Sequence, residues 1–236
     1  MLPTIIEQLI QWDKALLVAL NGSSSTYLDG IMMTITETST WIPMFACVLY
    51  AIVRNNNWRG ILFTIVMVAL LVTLADRFSS GFCKPYFHRL RPSHSPDLAG
   101  VIDLFNNYRC GLYGFISSHA ANTFAGSTFF ILLFRNKMVS PLLLLWACLS
   151  SYSRIYLGVH YPIDILAGTL WGLLCGVSVY ELYYRVGTRL RLIAIANSSA
   201  YTITGYRRAD FIPLFAVFPL TFVYVLVRAA FFVSIS

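Results

Sequence analysis

The chain has 236 residues, of which 58% are hydrophobic and only 11% are charged. Its mean hydropathy of +0.69 is far above that of an average soluble domain, which excludes an ordinary soluble enzyme or binding module. The 17 basic residues outnumber the 10 acidic ones, but they are dispersed over loops rather than gathered in one stripe. This distribution argues against a nucleic-acid partner. The composition predicts an integral membrane protein.

The apolar segments predict an all-α bundle of about six transmembrane or interfacial helices, in a single domain that covers 1–236. Segments of about 20 residues are long enough to cross a bilayer, and a helix satisfies its own backbone hydrogen bonds there. Residues 1–25 are expected to contain a helix that lies in the interface, because Glu7, Gln11 and Lys14 form one stripe among apolar neighbours. No cleavable signal peptide is expected in this segment.

Six membrane-spanning segments are expected in the rest of the chain, the last of them within a C-terminal unit of 211–236. The segments are 27–53, 61–82, 117–134, 139–157, 163–184 and 211–233. The first is unusually polar. Its Glu37 is either a functional group that faces the bundle interior or a hydrogen-bonded carboxyl near the interface.

The five cysteines show no paired spacing of the kind that binds metals. Those inside the predicted spans are interpreted as packing residues. Cys83 and Cys110 flank one loop, so a disulfide is an option if that loop faces an oxidising compartment.

One polar stretch lies where the fifth span is expected to begin. Residues 153–164 read Ser-Arg-Ile-Tyr-Leu-Gly-Val-His-Tyr-Pro-Ile-Asp. Pro162 suits the first turn of a helix, because it lacks a backbone N–H and its φ is fixed. Asp164 then lies on the same face as His160, where a carboxylate can set the imidazole tautomer and make the other ring nitrogen a better nucleophile or base. Arg154 offers a planar fork suited to a phosphate or carboxylate. The alternative is an ordinary interfacial histidine beside an acid that interacts with a helix dipole.

Two more polar clusters are expected at the same end of the bundle. Residues 84–92 read Lys-Pro-Tyr-Phe-His-Arg-Leu-Arg-Pro at the end of the second span, and residues 116–119 read Ile-Ser-Ser-His at the start of the third. Ser117 has the chemistry of an N-cap, so the free N–H groups of that helix would point into the same pocket. Together with the nearby cations they predict an oxyanion site that fits phosphate best, and those cations are Lys84, Arg91 and Arg154.

The distribution of basic loops predicts which side of the membrane this end faces. Short loops rich in Lys and Arg tend to stay in the cytoplasm. Such loops occur at 54–59, 135–137 and 185–208, and they alternate with the ends that carry the three polar clusters. The clusters are therefore expected on the extracytoplasmic face.

The three clusters resemble the signature motifs of the type 2 phosphatidic acid phosphatase superfamily of membrane lipid phosphatases. The family motifs Lys-x6-Arg-Pro, Pro-Ser-Gly-His and Ser-Arg-x5-His-x3-Asp correspond to residues 84–92, 116–119 and 153–164. The first and third match fully, whereas the second has Ile116 in place of proline and Ser118 in place of glycine. Ser118 would either weaken close backbone approach to a phosphate or add a hydroxyl donor.

The resemblance implies a catalytic motif region at 84–164 that works without a metal or other cofactor. His160 would attack phosphorus to give a phosphohistidine, while Asp164 orients its ring. His119 would protonate the leaving group and then activate water. The phosphoryl oxygens would be held by Lys84, Arg91, Arg154, Ser117 and Ser118.

The expected substrate is a lipid with a terminal phosphate or diphosphate. Candidates are undecaprenyl diphosphate, a lipid A phosphate group, phosphatidylglycerol phosphate and phosphatidate. The expected location is the bacterial inner membrane, with the site toward the periplasm or the cell exterior, and no obligatory protein partner is inferred. Further candidates for contact with a head group, which are otherwise ordinary polar loop residues, are His88, Arg89, His94 and Arg109.

Two alternatives to a phosphatase stay open. Ionisable groups in a membrane bundle also occur in an ion or small-molecule transporter, although the charged groups here cluster at one face rather than forming a relay. A family member that binds a phospholipid without turnover is the second alternative, because the motif at 116–119 is altered.

Overall fold

The computed structural model describes residues 4–193 and 198–235, which are mostly helical and, within these ranges, include two isolated β-bridges but no strand. The all-α prediction is confirmed. The helices are α1 (Ile5–Leu20), α2 (Thr26–Thr36), α3 (Ile42–Asn55), α4 (Trp58–Asp76), α5 (Lys84–Phe87), α6 (Ser118–Phe134), α7 (Val139–Tyr156), α8 (Pro162–Arg189) and α9 (Ile212–Ile235).

Three helical segments among the described residues are long and apolar enough to cross a membrane. They are Trp58–Phe87, Pro162–Arg189 and Arg208–Ser234, and the α2–α3 pair is a fourth if it forms one span. α6 and α7 coincide with predicted spans but have only 17 and 18 residues. Both carry buried polar side chains, so they are less apolar than a helix that faces lipid along its length.

The segment predicted as one span over 27–53 is not a single straight helix, because the chain bends by 68° between α2 and α3. Glu37 at the bend has extended backbone angles. Carbonyl groups near the end of α2 accept hydrogen bonds from the Thr40 hydroxyl at 2.6 Å and the Trp41 indole at 2.9 Å, which satisfies groups that a broken helix exposes. The Glu37 carboxylate accepts from Arg228 on α9 at 2.8 Å. Glu37 is therefore a hydrogen-bonded carboxyl, the second of its two interpretations.

The most extensive helix pair in the bundle is formed by α6 and α8. Gly168 and Gly172 lie on one face of α8 and leave no room for a side chain, because a Cβ there would press on the carbonyl oxygens of Ser117 and Ala121. Small residues four apart allow two helix backbones to approach closely in a membrane. This contact fixes the start of α6, with the second motif, against the first turns of α8, with the third.

α1 lies at the edge of the bundle, where it contacts α7 and α8. Its side chains Ile5 and Trp12 are 85% and 71% exposed, as suits a helix that lies in the interface and buries its apolar face in lipid. The opposite face packs on the protein and buries Asp13 and Leu17. An acidic side chain of α1 thus lies inside the bundle, close to the beginning of α8.

Candidate active site

The loop that follows α5 holds the two arginines of the first cluster in fixed positions. The Arg91 N–H donates to the Leu112 carbonyl at 3.0 Å, and the Gly114 N–H donates to the Arg89 carbonyl at 2.8 Å. These bonds make the segment a short antiparallel pair. Alternate residues of an extended segment share a face, and both arginine side chains accordingly reach the start of α8.

His160 lies in the turn between α7 and α8 and is only 1% exposed. Its Nε2 is 2.6 Å from Nη1 of Arg91, and its Nδ1 is 3.4 Å from Oδ2 of Asp164. A guanidinium can only donate, so Nε2 is the acceptor and Nδ1 carries the proton that faces the carboxylate. Asp164 Oδ2 also accepts the backbone N–H of Tyr161 at 3.1 Å. The predicted four-residue pairing of imidazole and carboxylate is present.

Burial and nearby positive charge keep His160 neutral. Burial lowers the pKa of His160 well below its ordinary value, and the charges of Arg91, Arg154, Lys84 and His119 lower this pKa further. A neutral imidazole keeps the lone pair that a nucleophile needs. Groups from all three clusters therefore lie close enough to act on one imidazole.

The second cluster connects to both of the others. Ser117 caps α6 by accepting the N–H of Ala120 at 3.3 Å, and its own N–H donates to the backbone carbonyl of Asp164 at 3.0 Å. The Ser118 hydroxyl accepts a hydrogen bond from Lys84 Nζ at 3.0 Å. The serine that stands where the resembled motif has glycine is thus a direct contact of the lysine in the first cluster.

Arg154 lies in the last turn of α7, and its guanidinium points into the same region. Nη1 donates to the hydroxyls of Thr36 and Tyr108, both at 2.8 Å, and Nη2 is 2.9 Å from the sulfur of Cys110. Burial alone would raise the pKa of the Cys110 thiol, but the Arg154 charge and the Tyr108 hydroxyl outweigh it and lower this pKa. Within the described ranges Cys83 and Cys110 are both free thiols, so no disulfide joins them.

A cavity of about 550 Å³ opens beside His119. Nε2 of His119 is buried without a hydrogen-bond partner among the described residues, and Thr36, which binds Arg154, also lines the cavity. The cavity therefore begins at His119 and at Thr36, the hydrogen-bond partner of Arg154, and extends into the bundle. Its far walls come from α3 and α4 and are apolar, with Val48, Leu49, Ile52, Ile65, Val68, Leu71 and Val72.

The loop residues considered for contact with a head group all have protein partners. Three of them contact the loop itself: His88 packs on the Tyr113 ring, His94 lies 2.8 Å from the Cys110 carbonyl, and Arg109 donates to the Ser93 carbonyl at 2.8 Å. The fourth, Arg89, instead connects two carboxylates. Its Nη1 donates to Oδ1 of Asp164 at 2.7 Å and its Nη2 donates to Oδ2 of Asp13 at 2.5 Å.

Asp13 was not identified from the sequence as part of the site, although one feature of the sequence indicates that its side chain packs against the protein. Leu9, Asp13 and Leu17 are spaced by four residues, so the acid lies on the apolar stripe of α1 and not on the polar stripe. A charged residue on a face that packs on protein is seldom left without a partner. In the structure the partners of Asp13 are Arg89 and the backbone N–H of Ile163, the latter at 2.9 Å.

Comparison with known proteins agrees with this geometry. The lipid A 4'-phosphatase of Bacteroides thetaiotaomicron is 38% identical over 188 residues, which cover 79% of this chain and 84% of that protein. The lipid A 4'-phosphatase of Porphyromonas gingivalis is 36% identical over 184 residues, 78% of each chain. The crystal structure of a transmembrane PAP2 type phosphatidylglycerolphosphate phosphatase from Bacillus subtilis has the same fold, with a TM-score of 0.57 and 22% identity over 76% of this chain and 88% of that one.

The family model described as the PAP2 superfamily matches residues 60–187, more than half of the chain and all three clusters. The resemblance inferred from the motifs is therefore confirmed. This protein is a membrane phosphatase that belongs to the PAP2 superfamily.

Proposed function

We propose that this protein hydrolyses a phosphate monoester of a membrane lipid, and that the lipid is lipid A with its 4'-phosphate. The observation that carries the proposal is that the three clusters contact one another around His160, next to a cavity with apolar walls that His119 lines. The choice among lipids is supported by the two relatives at 38% and 36% identity, which are lipid A 4'-phosphatases.

The proposed reaction begins at Nε2 of His160. This nitrogen attacks phosphorus, the bond between phosphorus and the lipid oxygen breaks, and a phosphohistidine forms. Asp164 accepts a hydrogen bond from Nδ1–H and stabilises the positive charge that the ring gains, while the proton stays on Nδ1. His119 gives a proton to the departing lipid oxygen, then takes a proton from water as that water attacks phosphorus. Inorganic phosphate leaves, and His160 returns to its neutral form.

The phosphoryl oxygens are proposed to lie among the three cations. Arg91 is already 2.6 Å from Nε2 of His160, so a phosphoryl group that approaches this nitrogen meets the guanidinium first. Lys84 approaches from the first cluster and Arg154 from α7, and the free N–H groups at the start of α6 add donors. Fixed positive charge at the place where negative charge develops lowers the barrier to phosphoryl transfer.

The cavity beside His119 supports a lipid as the substrate. Three of its lining residues on α3 and α4 are about half exposed rather than enclosed, because Leu49, Ile65 and Val72 are between 48% and 50% exposed. The cavity therefore opens sideways between α3 and α4, where a membrane protein faces lipid. A hydrocarbon chain in this opening would place its phosphate next to the cations.

The proposed location is the inner membrane of a bacterium, with the site toward the periplasm. The support is the charge of the loops, because the short connections at 54–59 and 135–137 lie at the opposite end of the bundle from the three clusters and are basic. Such loops are retained in the cytoplasm.

The proposal is tested with the purified protein in detergent, given lipid A with both phosphates. We expect release of inorganic phosphate and a product whose mass and fragmentation show loss of the 4'-phosphate, with no release by His160→Ala. Undecaprenyl diphosphate, phosphatidylglycerol phosphate and phosphatidate serve as competing substrates. Faster turnover of one of these would contradict the choice of lipid A. Lack of turnover of every lipid phosphate would contradict the function itself and favour a non-catalytic binder or a transporter.

A further inference from the structure

We propose that Asp13 is a positioning residue, through which the N-terminal helix α1 holds Arg89 and Asp164 in the orientation that His160 needs. The inference rests on the proposed phosphatase mechanism, and it concerns a residue outside the segment 60–187 that the family model matches. It gives α1 a part in catalysis besides its place in the interface.

The Asp13 carboxylate is fully buried and uses both of its oxygens. Its side chain has 0% exposure. Oδ2 accepts from Arg89 Nη2 at 2.5 Å, and Oδ1 accepts the backbone N–H of Ile163 at 2.9 Å. That N–H belongs to the first turn of α8, where a helix has no internal acceptor to offer. One side chain of α1 therefore binds both the helix that carries Asp164 and the arginine that contacts Asp164.

Arg89 connects Asp13 to Asp164. Its two terminal nitrogens point to different carboxylates, Nη1 to Asp164 Oδ1 at 2.7 Å and Nη2 to Asp13 Oδ2 at 2.5 Å. The face of the guanidinium rests on the Tyr161 ring, 4.1 Å from its centroid. Burial alone would lower the pKa of Arg89, but Asp164 and Asp13 together outweigh it and raise this pKa. The arginine is held in one plane by three partners.

The orientation of the Asp164 carboxylate depends on Arg89, because the contact with the histidine is the long one. Oδ2 is 3.4 Å from Nδ1 of His160, whereas Oδ1 is 2.7 Å from Arg89. A small rotation of the Asp164 carboxylate toward a displaced Arg89 would break its hydrogen bond with Nδ1 of His160. Removing one partner from a buried group of charges leaves the others uncompensated. Loss of the Asp13 charge should therefore change the orientation of the His160 ring, which is connected to Asp13 through Arg89 and Asp164.

The test compares Asp13→Asn with Asp97→Asn as the matched control. Asp97 also binds α1, through Lys14 at 2.6 Å, but its side chain is 69% exposed, and such surface pairs contribute little. For phosphate release from lipid A we expect Asp13→Asn to lower kcat about 10-fold with KM unchanged, in line with the loss of a partner behind an active-site histidine. Asp97→Asn should match wild type.

A double variant separates positioning from a purely structural role. If Asp13 acts through Arg89, then Asp13→Asn combined with Arg89→Gln should be no slower than the slower single variant, since both remove one connection. Thermal unfolding of each variant shows whether the fold is kept. A kcat of Asp13→Asn equal to that of Asp97→Asn, or losses that multiply in the double variant, would overturn the inference.

The same variants are also assayed with p-nitrophenyl phosphate, which has no lipid tail. Turnover of this ester by wild type, with no lipid hydrolysed, would contradict the proposed function while still measuring the effect of Asp13→Asn. The pattern expected for positioning is a loss of kcat on both substrates. A loss on lipid A alone would mean that α1 acts on lipid binding, and would also overturn the inference.

Discussion

The amino group of Lys84 lies 3.0 Å from the hydroxyl of Ser118, so the first and second clusters meet at the position where this chain departs from the family motif. A second hydroxyl, that of Ser80, accepts from the same amino group at 3.3 Å. The two acceptors fix an otherwise flexible lysine side chain beside the start of α6. Ser118 here is an acceptor that positions a cation, and not only a bulkier substitute for glycine.

Ser118→Ala should therefore reduce activity on the lipid substrate. A hydrogen bond to a charged group is worth about 1.5–3 kcal/mol, so we expect kcat/KM to fall by about tenfold or more. Ser80→Ala, which removes the longer bond, should cause a smaller loss. Steady-state kinetics of both variants measure this, and unchanged kinetics in Ser118→Ala would show that Lys84 does not depend on it.

Gly114→Ala should disturb the centre of the site. A Cβ at Gly114 would lie 2.9 Å from Oδ2 of Asp164 and 3.2 Å from Cγ of Arg91, so at least one side chain must move. Because both contact His160, we expect kcat/KM to fall by roughly tenfold or more. Gly111→Ala is the control in the same loop, since a Cβ there meets nothing within 4 Å. Equal activity of the two variants would contradict the prediction.

The two histidines should be distinguishable with a substrate whose leaving group needs no acid. With p-nitrophenyl phosphate the first step proceeds without His119, whereas attack by water still needs a base. His119→Ala should therefore accumulate an acid-labile phosphoenzyme that wild type turns over, and His160→Ala should form none. Quenched samples analysed by phosphopeptide mass spectrometry show which residue carries the phosphate. Phosphate found on any residue other than His160 would exclude the proposed nucleophile.

The neutral state of His160 makes the stability of the fold depend on pH. Its pKa in the folded protein is well below the ordinary value of 6.5, because of burial and of the nearby cations. Below pH 6.5 the unfolded chain thus binds a proton that the folded chain does not, so the free energy of unfolding falls as the pH falls. The thermal midpoint should decrease from pH 7 to pH 5, and less so in His160→Gln. An equal decrease in that variant would assign the effect to other groups.

Activity should not depend on a divalent metal. Among the described residues no group of three or more His, Cys, Asp or Glu is arranged to hold a metal ion, and the proposed charge stabilisation comes from Lys84, Arg91 and Arg154. Phosphate release should be unchanged in EDTA, and vanadate should inhibit it by occupying the phosphate site. Activity lost in EDTA and restored by a divalent cation would contradict this prediction.

The sequence predicted those parts of the site that depend on local geometry. A spacing of four residues at the start of a helix was enough to pair His160 with Asp164, and Ser117 was recognisable as a helix cap. Contacts between distant segments were not predictable in this way. The hydrogen bonds of Arg154 to Thr36 and Tyr108 depend on how α2 and the long loop pack on α7.

The break at Glu37 escaped prediction for the same reason. At the break the Glu37 carboxylate pairs with Arg228, which is 191 residues away in the chain. The role of Asp13 likewise becomes visible only when α1 is docked on the first turn of α8. By hydropathy, both segments are apolar stretches that contain two acidic residues each, and this pattern is compatible with several arrangements of the helices.

The proposed sideways opening between α3 and α4 has a consequence for substrate selectivity. Water-soluble phosphate esters are charged and do not partition into hydrocarbon, so they do not concentrate at an opening that faces it. Selection against soluble esters then requires no steric barrier in the protein, because the bilayer itself limits their access to the site. The side chains around His160 can therefore be specialised for phosphoryl transfer.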